Sequence, residues 1–253
     1  MRLHNKIAII TGAGTGIGAA TAFRFAEEGA KLVLADINLA DVSEIAAQVR
    51  AMGAEAFPIG GDISNEDDAR RICDIAIERF GSLDVLVNNA ADFTTFSVED
   101  GSKENWLRVL GVNVIGTALV SKHAIPHLKQ RRGSIVNLSS QSGFIAQPNM
   151  ATYNSSKGAI LTMTQCMALD LAPSGVRVNS ICPGCIMTSA SEREWVRMGL
   201  TREEWVAEMA PRHMLNRVGD AREVANAILF LASDEASFIT GAHLRVDGGA
   251  TAW

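Results

Sequence analysis

Ile7-Ala8-Ile9-Ile10-Thr11-Gly12-Ala13-Gly14-Thr15-Gly16-Ile17-Gly18 is the stretch on which the fold turns. Four apolar residues in a row, Ile7 to Ile10, read as a strand covered on both faces, and the glycines lead into an amphipathic helix through Glu28. A helix entered from such a loop offers unpaired backbone N–H groups, and missing side chains let a pyrophosphate approach them. Glycines also serve ordinary turns, so the loop needs companions before it implies a ligand.

Outward from that strand, short Ile- and Val-rich runs recur at Leu32 to Ala35, Val85 to Val87, Ile135 to Leu138 and Val176 to Ser180, with helix-length segments between them. This is the alternation of repeated βαβ units with right-handed crossovers. It predicts an α/β fold: a doubly wound, Rossmann-type parallel sheet with helices on both faces, spanning residues 1–253 as a single domain. No linker, repeat or shift in composition divides the chain. Helix starts are predicted where a capping side chain precedes an acid by three residues: Ser64 with Asp67, Ser191 with Glu194, Thr201 with Glu204 and Asp220 with Glu223.

The formal net charge of −5, with no basic cluster beyond Arg131-Arg132, offers no footprint for nucleic acid or an anionic membrane. A small molecule is the expected partner. Ile7 to Ile10 is too short for a signal peptide, and no other apolar run suggests a membrane span. The expected location is the cytoplasm, with Cys73, Cys166, Cys182 and Cys185 reduced.

Asp36 closes the second strand, eighteen positions after Gly18, where a carboxylate can accept both ribose hydroxyls of NAD and repel a 2′-phosphate. Lys31 lies five residues back, roughly 16 Å along an extended chain, too far to neutralise that phosphate. Tyr153 and Lys157 are four apart in the helical segment Thr152 to Leu171 and project from one face. A nearby ammonium and the positive nicotinamide of NAD+ would favour the phenolate, at about 1.4 kcal/mol per unit of pKa.

Taken together, the glycine spacing of Gly12, Gly16 and Gly18, Asp36, Asn88-Asn89-Ala90-Ala91 and the Tyr153/Lys157 pair resemble the short-chain dehydrogenase/reductase family along nearly the whole chain. Two further spacings match: Ser140 stands thirteen residues before Tyr153 and Asn113 forty before it. The resemblance implies a catalytic tetrad in which Tyr153 is general base or acid and Ser140 polarises the substrate oxygen. Lys157 would bind the nicotinamide ribose and lower the tyrosine pKa, and Asn113 would hold a water linking Lys157 to solvent. Ser139 is the runner-up to Ser140.

The same resemblance assigns cofactor contacts to Gly12, Thr15, Gly16, Ile17, Gly18, Asp36, Asp62, Ile63, Asn89, Ala90, Tyr153 and Lys157, and in the Pro-Gly loop to Pro183, Gly184, Ile186 and Thr188. It departs at Ala91, where the family usually has glycine. Thr15 and Ile37, where members often carry a basic residue for NADP, are uncharged, so NAD is the expected cofactor. The implied function is hydride transfer between NAD(H) and a secondary alcohol or ketone. A 3-oxoacyl carrier-protein reductase is the rival enzyme, disfavoured by Asp36 and the acidic balance, and a catalytically silent NAD sensor is the non-enzyme alternative.

No metal site is expected: Cys182 and Cys185 form a CxxC without a second ligand pair, and His123 and His127 lack a following carboxylate. No nucleophile elbow surrounds Ser140. By the same resemblance the segment 189–216 should cover the substrate, and Trp195, Met198, Leu200, Trp205, Met209 and Met214 either line a moderately apolar pocket or pack onto the core. Phe93, Thr94, Phe144, Gln147 and Met150 are further pocket candidates. Apolar residues on several faces of segments 103–130 and 152–172 predict a homotetramer or homodimer, with Trp253 as a candidate interface anchor.

Overall fold

A strand that is apolar on both faces must sit between two helical layers, and β1 (Ile7–Thr11) is buried along its whole length inside a seven-stranded sheet. The computed structural model describes residues 1–252, so Trp253 lies outside the described residues. After β1 come α1 (Gly16–Glu27), β2 (Lys31–Asp36), α2 (Leu39–Ala51), β3 (Ala56–Gly60), α3 (Glu66–Phe80) and β4 (Val85–Asn88). The second half brings α4 (Lys103–Leu110), α5 (Thr117–Arg131), β5 (Ser134–Leu138), α6 (Ala151–Leu171) and β6 (Arg177–Pro183). It closes with β7 (Ile186–Met187), α7 (Ser189–Met198), α8 (Arg202–Met209), β8 (Gly219–Asp220), α9 (Ala221–Ala232) and β9 (His243–Val246).

The strand order is β3-β2-β1-β4-β5-β6-β9 and every pairing in it is parallel. Strand order reverses between β1 and β4, which opens a crevice at their carboxyl ends, where ligands of such sheets bind. Alternate strand residues feed two cores. Ala8 and Ile10 join α1, α2 and α9 on one face, while Ile7 and Ile9 join α3, α5 and the end of α6 on the other. A separate parallel pair, β7 with β8, brackets α7 and α8 and pins both ends of that insert.

Three local expectations change. The caps of α3 and α7 are Asn65 and Thr188, not Ser64 and Ser191, whereas the boxes at Thr201 and Asp220 form as read. The helical segment read over 103–130 forms as Lys103–Arg131, but a π turn over Gly111–Gly116, which no expectation included, interrupts it. By length and composition this 29-residue helix could cross a membrane, with mean hydropathy 1.2 and 39% burial over its most apolar window, although no apolar run in the sequence suggests a span. Its inward side carries Val120, Ala124 and Leu128 into the core.

Candidate active site

The glycine loop is built so tightly that side chains would not fit. A Cβ on Gly18 would lie 2.0 Å from the Gly12 carbonyl oxygen, and one on Gly12, whose φ is +63°, would lie 2.7 Å from the Ala90 Cα. Asn89 locks the loop to the end of β4, since its Nδ2 donates to the Thr11 and Gly12 carbonyls at 3.0 and 2.9 Å. The Thr11 hydroxyl accepts from the backbone N–H of Asn89 and Ala90. At the start of α1 no side chain caps the first N–H groups and no acid occupies the first turn. Such a terminus fits an anion.

A cavity of about 1210 Å³ runs over this loop. Gly12, Thr15, Gly16 and Ile17 line it beside Asp36, Asp62, Ile63, Asn89 and Ala90. Gly18 does not line it and serves the packing of α1 instead. Asp36 sits at the end of β2, where its Oδ2 accepts from Gly14 N at 2.9 Å and its Oδ1 from Asn38 N at 3.0 Å. Ile37, Asn38 and Asp41 surround it, and Lys31 pairs with Glu55 at 2.8 Å toward the other end of the strand. Asp62 is held by the Ser64 hydroxyl and N–H, and Ile63 packs against Gly116 of the π turn. The crevice, the unsatisfied helix start and the ribose-distance acid together fit a dinucleotide.

An adjoining pocket of about 150 Å³ is lined by Ser139, Ser140, Tyr153, Lys157, Pro183, Gly184, Ile186 and Thr188. Tyr153, Phe93, Ile17, Asn89 and Thr188 also line the larger cavity, so the two are parts of one groove. Tyr153 and Lys157 are both buried in α6, one turn apart. The Lys157 Nζ lies 5.6 Å from the Tyr153 ring centroid and donates to the Leu138 carbonyl at 2.8 Å. Burial pushes the Lys157 ammonium down to about 8. Burial pushes the Tyr153 phenol above its ordinary range; the Ser140 hydroxyl works against that and the Glu194 carboxylate adds to it. Ser139 is occupied, its hydroxyl donating to the Lys157 carbonyl at 2.8 Å, whereas Ser140 faces the phenol.

Asn113 stands in the π turn, which displaces it toward α6. Its Nδ2 donates to Ser156 Oγ at 2.9 Å and to the Asp92 carbonyl at 3.0 Å, and its Oδ1 accepts from Asp92 N at 2.7 Å. The side chain is therefore committed to positioning the 92 loop. Asp92 in turn accepts from Arg108 Nε at 2.6 Å, and Phe93 stacks on the Tyr153 ring at 5.5 Å.

The cover differs most from the sequence reading. Trp205 and Met209 are buried packing residues, Trp195 packs against Trp205 with the rings tilted at 55° and their centroids 5.6 Å apart, and none of the six apolar candidates lines the cavities. Thr188, Ser189, Ala190, Arg193, Glu194 and Arg197 face the large cavity instead. Of the other pocket candidates Phe93, Thr94 and Met150 do line it; Gln147 accepts from the Ser142 hydroxyl and Phe144 packs on His243 and Arg245. Asp92, Arg108, Arg193, Glu194 and Arg197 are site residues that sequence reasoning missed, because no motif marks a charged helix face as facing inward. The CxxC thiols are free, and burial holds both up, Cys185 to about 11, which is unlike a reactive dithiol.

A family profile described as Enoyl-(Acyl carrier protein) reductase matches residues 12–251. The chain is 41% identical to a meso-2,3-butanediol dehydrogenase of Serratia marcescens, covering 100% of this chain and 97% of that one. It is 36% identical to a 3-oxoacyl-[acyl-carrier-protein] reductase of Thermotoga maritima, covering 98% and 99%. A crystal structure of a short-chain type dehydrogenase/reductase from Mycobacterium marinum superposes with a TM-score of 0.91 at 32% identity, over 98% of this chain and 96% of that one. With the parallel sheet, the side-chain-free loop and the Tyr153/Lys157 turn at its crevice, these likenesses give one answer: the chain belongs to the short-chain dehydrogenase/reductase family, oxidoreductases that use a nicotinamide cofactor.

Proposed function

We propose that this chain is an NAD-dependent dehydrogenase or reductase acting on the CH–OH group of a secondary alcohol or the matching ketone, with Asn113, Ser140, Tyr153 and Lys157 as its tetrad. The observation that carries the reading is Tyr153, buried in the wall common to both parts of the groove, with Ser140 facing its phenol and Lys157 one turn on. Gly12, Thr15, Gly16 and Ile17 with the start of α1 would hold the pyrophosphate. Gly18 would let that helix close on the loop. Asp36 would accept the ribose hydroxyls, Asp62 and Ile63 would border the adenine, and Asn89 and Ala90 would shape the floor between. Pro183, Gly184, Ile186 and Thr188 would line the nicotinamide end.

Bound there, the nicotinamide supplies the hydride acceptor in oxidation and the donor in reduction. In oxidation the Tyr153 phenolate takes the proton of the substrate hydroxyl; in reduction the phenol returns it to the forming alkoxide. Ser140 donates a hydrogen bond to that same oxygen, where negative charge develops. Lys157 spends one N–H on Leu138 and keeps two for the ribose. The Asn113 side chain is bonded to Asp92 and Ser156 and its carbonyl to the Thr117 hydroxyl, so a water linking Lys157 to solvent would use the remaining acceptor capacity of these oxygens.

Preference for NAD follows from Asp36 and its uncharged or acidic neighbours Ile37, Asn38 and Asp41. The carrier-protein alternative draws on the Thermotoga relative's name; a net charge of −5 makes a poor receiver for an acidic carrier. A cytoplasmic location accords with four free thiols, and a homotetramer or homodimer with the exposed Ile115 of the π turn and Leu169 of α6.

The test is turnover of a panel of secondary alcohols with NAD+ and with NADP+, by the parent and by Tyr153→Phe. NAD+ should give the higher kcat/KM, and the variant should lose about 100-fold or more while still binding NADH. Equal use of both cofactors would remove the role given to Asp36, and an unimpaired variant would remove the tetrad.

A further inference from the structure

A Ser191–Glu194 capping box would turn the Glu194 carboxylate back onto its own helix. The actual start of α7 lies three residues earlier: Thr188 is the cap, and Ser191 takes the place expected of Glu194. That shift of about one turn releases the carboxylate. Glu194 lies half-buried in the wall of the large cavity, together with Tyr153. Among the described residues it makes no hydrogen bond and no ion pair, in contrast to Glu204 and Glu223, which cap their helices as read. It shares the wall of that cavity with Tyr153, Phe93 and Thr188, the residues through which the cavity opens into the smaller pocket.

A hydrogen bond to a charged group is among the stronger ones a site can offer. A ligand with a hydrogen to donate gains most from reaching Glu194. Arg193 and Arg197 line the same cavity and have no acidic partner among the described residues. They oppose a cationic ligand, while Glu194 opposes an anionic group near the carbinol. A neutral hydroxyl satisfies both.

We propose that Glu194 determines substrate specificity: its carboxylate accepts a hydrogen bond from a second hydroxyl of the substrate, so the enzyme takes neutral diols and polyols in preference to mono-alcohols. This rests on the dehydrogenase reading above. The second hydroxyl anchors the substrate while Ser140 and Tyr153 hold the reacting one. No further bond is made or broken at Glu194.

The experiment compares matched pairs differing by one hydroxyl, 2,3-butanediol with 2-butanol and 1,2-cyclohexanediol with cyclohexanol, using NAD+ and the full chain. The parent should favour each diol by about tenfold or more in kcat/KM, since loss of a hydrogen bond to a charged group costs at least that. The diol-to-mono-ol ratio should fall in Glu194→Gln and approach one in Glu194→Leu, with NADH fluorescence confirming that both variants still fold and bind cofactor. A ratio unchanged in both variants, or a parent that favours no diol, overturns the proposal while leaving the dehydrogenase intact. Preference for 1-amino-2-propanol over 1,2-propanediol also overturns it, because the donor would then be an ammonium. If no alcohol is oxidised with either cofactor, the dehydrogenase reading falls and this one with it.

Discussion

Tyr153 is the only tyrosine in the chain, so its ionisation can be watched directly. Burial holds the phenol above the ordinary value of 10.0, because removing water penalises the phenolate. The folded protein thus keeps this proton more tightly than the unfolded chain, and the associated stability is lost as pH rises past the unfolded value. In cofactor-free protein the phenolate absorbance should therefore grow in only above pH 10.0. Adding NAD+, whose nicotinamide is positive, should draw the titration to lower pH, and NADH should not. A phenolate seen below the ordinary range without cofactor would show that desolvation is not the dominant influence. That Tyr153 and Lys157 share a face was legible from helix periodicity, and Ser140 beside them from the spacing of the family it resembles. Glu194, Arg193 and Arg197 were not, since a serine three residues ahead of an acid also mimics a cap.

Among the elements, the loop from β1 into α1 is set by sterics that a single methyl should breach. A Cβ at position 18 would meet the Gly12 carbonyl at 2.0 Å and Asn89 Nδ2 at 2.6 Å, both parts of the lattice that ties β1 to β4. Gly18→Ala should destabilise the fold by about 1–3 kcal/mol through overpacking and weaken NADH binding at least tenfold, because α1 must back away from the pyrophosphate site. Thermal melts and NADH fluorescence read the two effects; a variant that melts and binds like the parent would mean that the loop has slack which these contacts deny. Interior strands were legible because they are apolar on both faces. The edge strands β3 and β9 were not: each pairs on one side only, β3 carries Pro58 and Gly60, and β9 holds the exposed Arg245.

For the whole molecule, the question is what covers the apolar residues that the sheet does not. Ile115 is 53% and Leu169 77% exposed, on neighbouring helical runs that already contact each other through the π turn and α6. The apolar window of the Lys103–Arg131 helix is 39% buried within one chain, and the proposed assembly would cover its outer side. Lys122 on that helix pairs with Glu66, and Lys129 and Arg131 follow it, charges that would be costly within hydrocarbon and are at ease beside an aqueous interface. The proposed homodimer or homotetramer would then be built on the π turn and α6. The parent should therefore sediment at a multiple of 27.0 kDa, and Ile115→Glu with Leu169→Glu should shift it toward that single-chain mass. The two carboxylates would face their symmetry mates across a desolvated surface, where like charges are strongly disfavoured. NADH binding by the dissociated variant should persist, since neither residue lines the groove. A parent that runs as a single chain at all concentrations would show that these faces are not an interface, and a variant that stays assembled would place the interface elsewhere.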